Sequence, residues 1–398
     1  MVSVPVVFTT GYLRLPRGGD SMPRNARLPT AAMIPTFSRM RFLVSLVCLI
    51  VFSHLPLQAN TPAVVSGLRE EYKAKMEVWT LSMQTATTAE AQQKIWSQRP
   101  DAVVYATKLW AALKPQLAQD WTIEPCAWLL KLINTFPADG ITPETLEMRK
   151  EIILQILGAV EKQHLRSAKL APMCLGLVAV RDSLALKLLE RIEKENPDRS
   201  VQGVAALAIA TLLQDLSEDP ENMKRRLTLI RKAIIESAHV EIDGISVAKI
   251  ADDQLYVIRY LTKNRVAPDL SGVDETGATG KLSEYAGKVV VLLFWNSAIP
   301  DYERVLEIQN KLVKKMEGKP FVLIGVTNDS LPSLRVMKAE GVITWRNFLD
   351  PKGELARQYR VQGLPFCYVL DHERKIQYVG NPGSFVELTA DALLLDVK

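Results

Sequence analysis

Val289 to Tyr302 reads VVVLLFWNSAIPDY: seven apolar residues closed by the pair Phe294-Trp295, then a short polar turn and a proline. An unbroken apolar run rich in β-branched valine fits a strand covered on both faces, because a half-solvated strand would alternate. Pro300 falls where a helix begins, and its missing N–H costs nothing in a first turn. The pattern predicts a helix from Pro300 to about Glu317, with Asp301 and Glu303 placed where the helix dipole favours carboxylates. The stretch is therefore strand, turn and helix, with no cysteine in it.

Short strand-like and helical runs continue on both sides, the alternation of an α/β domain. The texture changes near Val266-Ala267-Pro268-Asp269, and Asp274-Glu275-Thr276-Gly277 reads as a turn between two short strands. Residues 321–326 form a second apolar strand, followed by Asn328-Asp329-Ser330 and a helix to Glu340. A short strand is expected at 344–349 and a short helix at 354–359. Two strands at 366–370 and 376–379 flank the turn Asp371-His372-Glu373-Arg374, and a last helix covers 384–395. Residues 61–260 differ: they are rich in Ala, Leu, Glu, Lys and Gln, with apolar residues at helical spacing. Thr142-Pro143 opens one helix, with Leu146, Ile152, Ile153, Ile156, Leu157 and Val160 assigned to one side. Residues 183–195 form another, stopped by Asn196-Pro197, and the small-residue run 200–216 suits a helix buried among neighbours. Glu218-Asp219-Pro220 then starts a charged helix to about Ser237. No fixed repeat emerges, so the expectation is an all-α bundle or irregular helical array.

The chain has 398 residues, 48% hydrophobic and 23% charged, a composition for a two-domain globular protein. Its formal charge of +5 is local. Residues 1–59 hold six arginines, no lysine and one acid, Asp20; removing these from totals of 49 basic and 44 acidic residues leaves 43 of each. Nucleic-acid binding thus has no electrostatic support in the body of the chain. The same N-terminal residues read as an export signal: Arg39-Met40-Arg41, the apolar run FLVSLVCLIVF at 42–52, then SHLPLQA ending at Ala59. Met33 or Met40 would be the conventional start, which makes 1–32 an over-long extension. An uncleaved anchor and lipidation at Cys48 are the rival readings; membrane contact belongs only to them. Export to the periplasm or cell envelope is the expectation. Outside that segment the cysteines are Cys126, Cys174 and Cys367, and no CxxC or metal-ligand spacing occurs.

The C-terminal stretches APDLSGVDETG, LSEYAGKVVVLLFW, GKPFVLIGVTND, ITWRNFLD and VQGLPFCYVLDHERKIQYVG, in that order and spacing, resemble exported thioredoxin-like proteins of the TlpA and redoxin (AhpC/TSA) group. The resemblance implies an α/β thioredoxin-like domain at 264–398, a central mixed sheet flanked by helices, preceded by a helical domain at 60–263. It also implies thiol–disulfide or peroxide chemistry through a Trp-Cys-x-x-Cys motif or a single cysteine at the start of the helix. Here that motif maps onto Ala298-Ile299-Pro300-Asp301-Tyr302, so Ile299 and Tyr302 stand at the two cysteine positions and neither can form a thiolate. The family's cis-proline loop, which holds a partner's extended backbone, maps onto Leu364-Pro365. Only about 5–6% of X–Pro bonds are cis, so this expectation comes from the resemblance alone.

Several residues then become candidates, each with a plain structural alternative. Trp295, Tyr302, Leu364 and Pro365 would line a protein-binding groove, or the two aromatics would simply pack at a strand end and a helix face. Cys367 is a weak catalytic candidate two residues beyond the proline; the reading preferred is a buried core thiol. Cys126 and Cys174 form the pair open to a disulfide, or are unpaired core residues. Lys314, Lys315 and Lys319 read as a solvated helix end. The tryptophans of the helical part are assigned to packing. No catalytic acid–base pair, metal site or cofactor is expected. Three functions remain in play: a protein-binding or scaffolding module without redox catalysis, a thiol–disulfide oxidoreductase or antioxidant enzyme working through Cys367 or a cysteine from elsewhere, and a structural envelope component.

Overall fold

The computed structural model describes residues 61–86, 89–136, 141–214, 219–299 and 302–396. The export-signal readings, Cys48 among them, and Pro300 and Asp301 of the motif lie outside the described residues.

The first part is helical: α1 (Thr61–Thr85), α2 (Ala89–Trp96), α3 (Ala102–Leu113), α4 (Ile123–Ile133), α5 (Pro143–Ala159), α6 (Ala171–Val178), α7 (Ser183–Glu195), α8 (Arg199–Gln214) and α9 (Pro220–Ser237). A small hairpin, β1 (Glu241–Ile242) and β2 (Ile245–Ser246), leads into α10 (Val247–Tyr256). Caps set the starts. Thr142 accepts a hydrogen bond from the Thr145 amide ahead of Pro143, and Asp219 accepts one from Asn222 ahead of Pro220. Helix α8 is buried along nearly its whole length, as its small residues allow. One core gathers the inward faces of these helices, from Val65 to Ile258. Leu146 departs from the expected face of α5: it is exposed, and Met148 packs on the core from that turn instead. The chain continues from α5 and from α10 into single π-helical turns, Val160–His164 and Val257–Leu261, which periodicity does not foresee.

The second part begins with the hairpin β3 (Ser271–Val273) and β4 (Thr279–Lys281) and continues through β5 (Val289–Trp295), α11 (Tyr302–Lys315), β6 (Phe321–Thr327), α12 (Leu331–Ala339), β7 (Arg346–Leu349), α13 (Glu354–Gln358), β8 (Phe366–Leu370), β9 (Ile376–Gly380) and α14 (Ser384–Asp396). The strands form a sheet in the order β7-β6-β5-β8-β9. Strands β5, β6 and β7 are parallel, while β8 runs antiparallel to both β5 and β9. This is the mixed, helix-flanked sheet of a thioredoxin-like fold. The central strand is buried at every residue, which explains its unbroken apolar sequence. Val289, Val291, Leu293 and Trp295 face a core shared with α11, α12 and α14. Val290, Leu292 and Phe294 face the opposite core, with Leu282, Tyr359 and Tyr368. Lys314, Lys315 and Lys319 are exposed, as expected of a solvated helix end, and Lys315 also bridges α11 to α14 through Glu387 and Asp391, each at 2.6 Å.

Candidate functional site

In a sheet of this kind the crevice beyond the carboxyl ends of the parallel strands is where loops converge on a ligand. Three loops meet there: residues 296–299 after β5, 328–330 after β6, and the segment entering β8. The first two are tied together. The Asn296 side-chain amide donates to the Asn328 side-chain oxygen at 2.9 Å. The Ser297 backbone N–H lies 3.1 and 3.0 Å from the two carboxylate oxygens of Asp329, and the Ser297 hydroxyl donates to the first of them at 3.0 Å. The Asp329 amide in turn donates to the hydroxyl of buried Thr327 at 3.1 Å. Burial raises the Asp329 carboxyl above the usual carboxylate range, and the bonds from Ser297 and Thr327 only partly offset it. Sequence reasoning missed both Ser297 and Asp329. The available signal was that Asn296-Ser297 and Asn328-Asp329 follow neighbouring apolar strands, so parallel pairing places them together.

The Leu364–Pro365 peptide is cis, as the resemblance implied. Antiparallel register pairs Phe294 with Phe366, which brings Pro365 to the end of the sheet where β5 runs into Asn296. Leu364 and Phe366 pack on the core around Phe294 and Tyr368, and Pro365 stays half-buried. Ile299 and Tyr302 are half-buried at the same end, with Tyr302 resting against the core that contains Trp295. Burial first, then the neighbouring Glu303, pushes the Tyr302 phenol above its usual range.

Two candidates are corrected. Trp295 is not a groove residue: it is 1% exposed, and its indole N–H donates to the Asn347 side-chain oxygen at 3.0 Å. Its position on the inner face of a doubly covered strand leaves it no route to solvent. Cys126 and Cys174 form no bridge and are free, buried thiols on α4 and α6. These helices pack so closely that a Cβ on Gly176 would meet Ala127 at 2.8 Å, and each cysteine sits within the apolar core.

Cys367 lies in the middle of the sheet, opposite Leu293 and Gly380, fully buried, with its thiol donating to the Gly380 carbonyl at 3.3 Å. Burial pushes it up to about 12, and the same cause raises Cys126 and Cys174 to about 12. At neutral pH such a buried thiol stays protonated, while exchange needs an accessible thiolate. Among the described residues no cluster of His, Cys, Asp and Glu could hold a metal ion, and no helix is long and apolar enough to cross a membrane.

Residues 264–379 match the AhpC/TSA family. Two similar curated proteins are the thiol-disulfide oxidoreductases ResA of Geobacillus kaustophilus and Geobacillus thermodenitrificans, 26% and 29% identical over 115 residues. Each alignment covers 28% of this chain and 66% of the relative, so the chain spans about two thirds of the relatives' length. Among solved structures, the thioredoxin domain of a thiol-disulfide oxidoreductase from Bacteroides vulgatus is 22% identical, with 33% of this chain and 98% of that one aligned and a TM-score of 0.31. With its ordered motifs and this match, the C-terminal domain of the chain is similar to the AhpC/TSA family, in its redoxin and TlpA-like group.

Proposed function

We propose that this protein is an exported binding or scaffolding module, built on a thioredoxin-like domain, that holds an extended segment of a protein partner beside the Leu364–Pro365 loop without thiol–disulfide exchange at the usual position. One observation carries the reading. By the family resemblance Ile299 and Tyr302 fall at the cysteine positions, while the turn that bears Ile299 is fastened through Ser297 and Asp329 and the Leu364–Pro365 peptide is cis. A retained groove without a nucleophile can still offer backbone hydrogen bonds and apolar contacts to an extended chain. The apolar run at 42–52 supports export, and the helical region supplies further surface for the same or another partner.

The relatives' name favours a second reading, thiol–disulfide oxidoreductase activity through Cys367. Insulin reduction separates the two. The first reading expects none from the mature chain, and activity that disappears in Cys367→Ser would establish the second. Ile299→Cys combined with Tyr302→Cys is expected to restore a reactive thiol near the start of α11 and measurable reduction, since only the sulfur chemistry is missing. A double variant that stays inert would show that the motif is aligned incorrectly.

A further inference from the structure

The groove is linked to the helical region through one continuous element. Helix α10 and the π-helical turn after it serve both parts of the chain. Val247, Ala251 and Ile258 are buried in the helical core, whereas Leu261 is buried in the core on the sheet. Tyr256 and Val257 pack on that second core, and so do Val361 and Leu364 of the segment leading to the cis-proline. Between them stands Arg360. Its guanidinium lies 4.2 Å from the Tyr256 ring centroid, pairs with Asp253 at 3.0 Å, and donates to the Arg357 carbonyl at 2.6 Å. Its backbone has φ of 51°, a left-handed conformation that a residue with a Cβ adopts only when its surroundings enforce it.

We propose that Arg360 is the positioning residue through which α10, by way of Asp253 and Tyr256, sets the conformation of the segment entering the Leu364–Pro365 loop, so that the packing of the helical region regulates the groove. The inference rests on the binding reading for the use of the groove, though not for the mechanical link. An element anchored in two cores carries a shift in one to the other, and the segment from Arg360 to Pro365 has no strand or helix of its own to resist it. Arginine suits the task because its planar, permanently charged group can stack on an aromatic ring and hold a carboxylate together.

Hydrogen exchange in the full-length chain, followed on peptides covering 361–366 and 289–295, tests the link. Arg360→Ala is expected to speed exchange at 361–366 by about tenfold, the size of losing one close cation–π stack and one ion pair, with 289–295 unchanged. Arg360→Lys keeps the charge without the plane and should fall between. Asp253→Asn leaves the loop's sequence intact, replaces a side chain that is 38% exposed, and should still speed exchange at 361–366. No change there in Asp253→Asn overturns the proposal, because the loop would then be held by its own domain. A rise shared equally by 289–295 overturns it too, since Arg360 would then serve only general stability. Exchange is read without any partner, so failure here leaves the binding reading intact. Insulin reduction by the native chain would remove that reading and leave this link untouched.

Discussion

At the scale of single residues, the turn after β5 is held by a carboxylate latch. Asp329 accepts from both the backbone and the hydroxyl of Ser297, which fixes the turn that carries Ile299. Its carboxyl nevertheless titrates above the ordinary value of 3.8, because burial outweighs those bonds. Between 3.8 and that higher value the folded chain binds more protons than the unfolded one, so this group's contribution to stability falls as pH rises through the window. Above the window its effect is constant. Asp329→Asn keeps an acceptor for Ser297 and removes the charge. It is expected to flatten this part of the pH–stability profile and to leave the neutral-pH stability equal or higher, as measured by urea unfolding from acid to neutral pH. A variant that loses stability at neutral pH would mean that the ionised carboxylate is worth more to the turn than its burial costs.

At the scale of elements, β6 shows why strands were easier to read than the site. Its apolar run was legible, and so were β5, β8 and β9, because a short, uniformly apolar run bounded by turn residues fits a buried strand and lacks the period of an amphipathic helix. What one-dimensional pattern cannot report is which face a side chain shares with a residue far away in the chain. Asn347 of β7 accepts from the indoles of both Trp295 and Trp345, and its backbone amide donates to Glu275. That polar knot is the reason Trp295 is inside, and nothing near Trp295 in sequence announces it. The cis-proline was legible only through the family resemblance, and the small β1–β2 hairpin and the π-helical turns were not legible at all. The knot also dictates a glycine: a Cβ on Gly325 of β6 would lie 1.8 Å from the Asn347 side-chain oxygen. Gly325→Ala must therefore push Asn347 off its indole partners, leaving buried polar groups unpaired at about 1–3 kcal/mol each. An unfolding free energy lowered by at least about 1 kcal/mol, read as a lower denaturant midpoint, is expected, with Trp fluorescence changed in the folded state. An unshifted midpoint would show that the core yields easily there.

At the scale of the whole molecule, the two cores meet in the π-helical turn after α10, and composition alone places the division only loosely, near residues 263 and 264. Leu261 belongs to the sheet-side core although the helix leading to it starts in the helical one. The ladder continues outward, since Asn264 and Ala267 donate to the carbonyls of Ile376 and Arg374, and the Ile376 amide donates to the Arg265 carbonyl, covering the start of the edge strand β9. A fragment cut at 264–398 keeps most of that cover but loses Leu261 and the aromatic side of Tyr256. A fragment of 247–398 keeps both. Burying one leucine is worth about 2 kcal/mol, so the longer fragment is expected to melt roughly 5–10 °C higher despite carrying the otherwise unpartnered faces of Val247 and Ala251. Equal melting temperatures would assign α10 to the helical region alone. The direction of the difference matters beyond stability, because an element that the thioredoxin-like domain needs for its own core cannot move with the helical region without disturbing the packing of Val361 and Leu364.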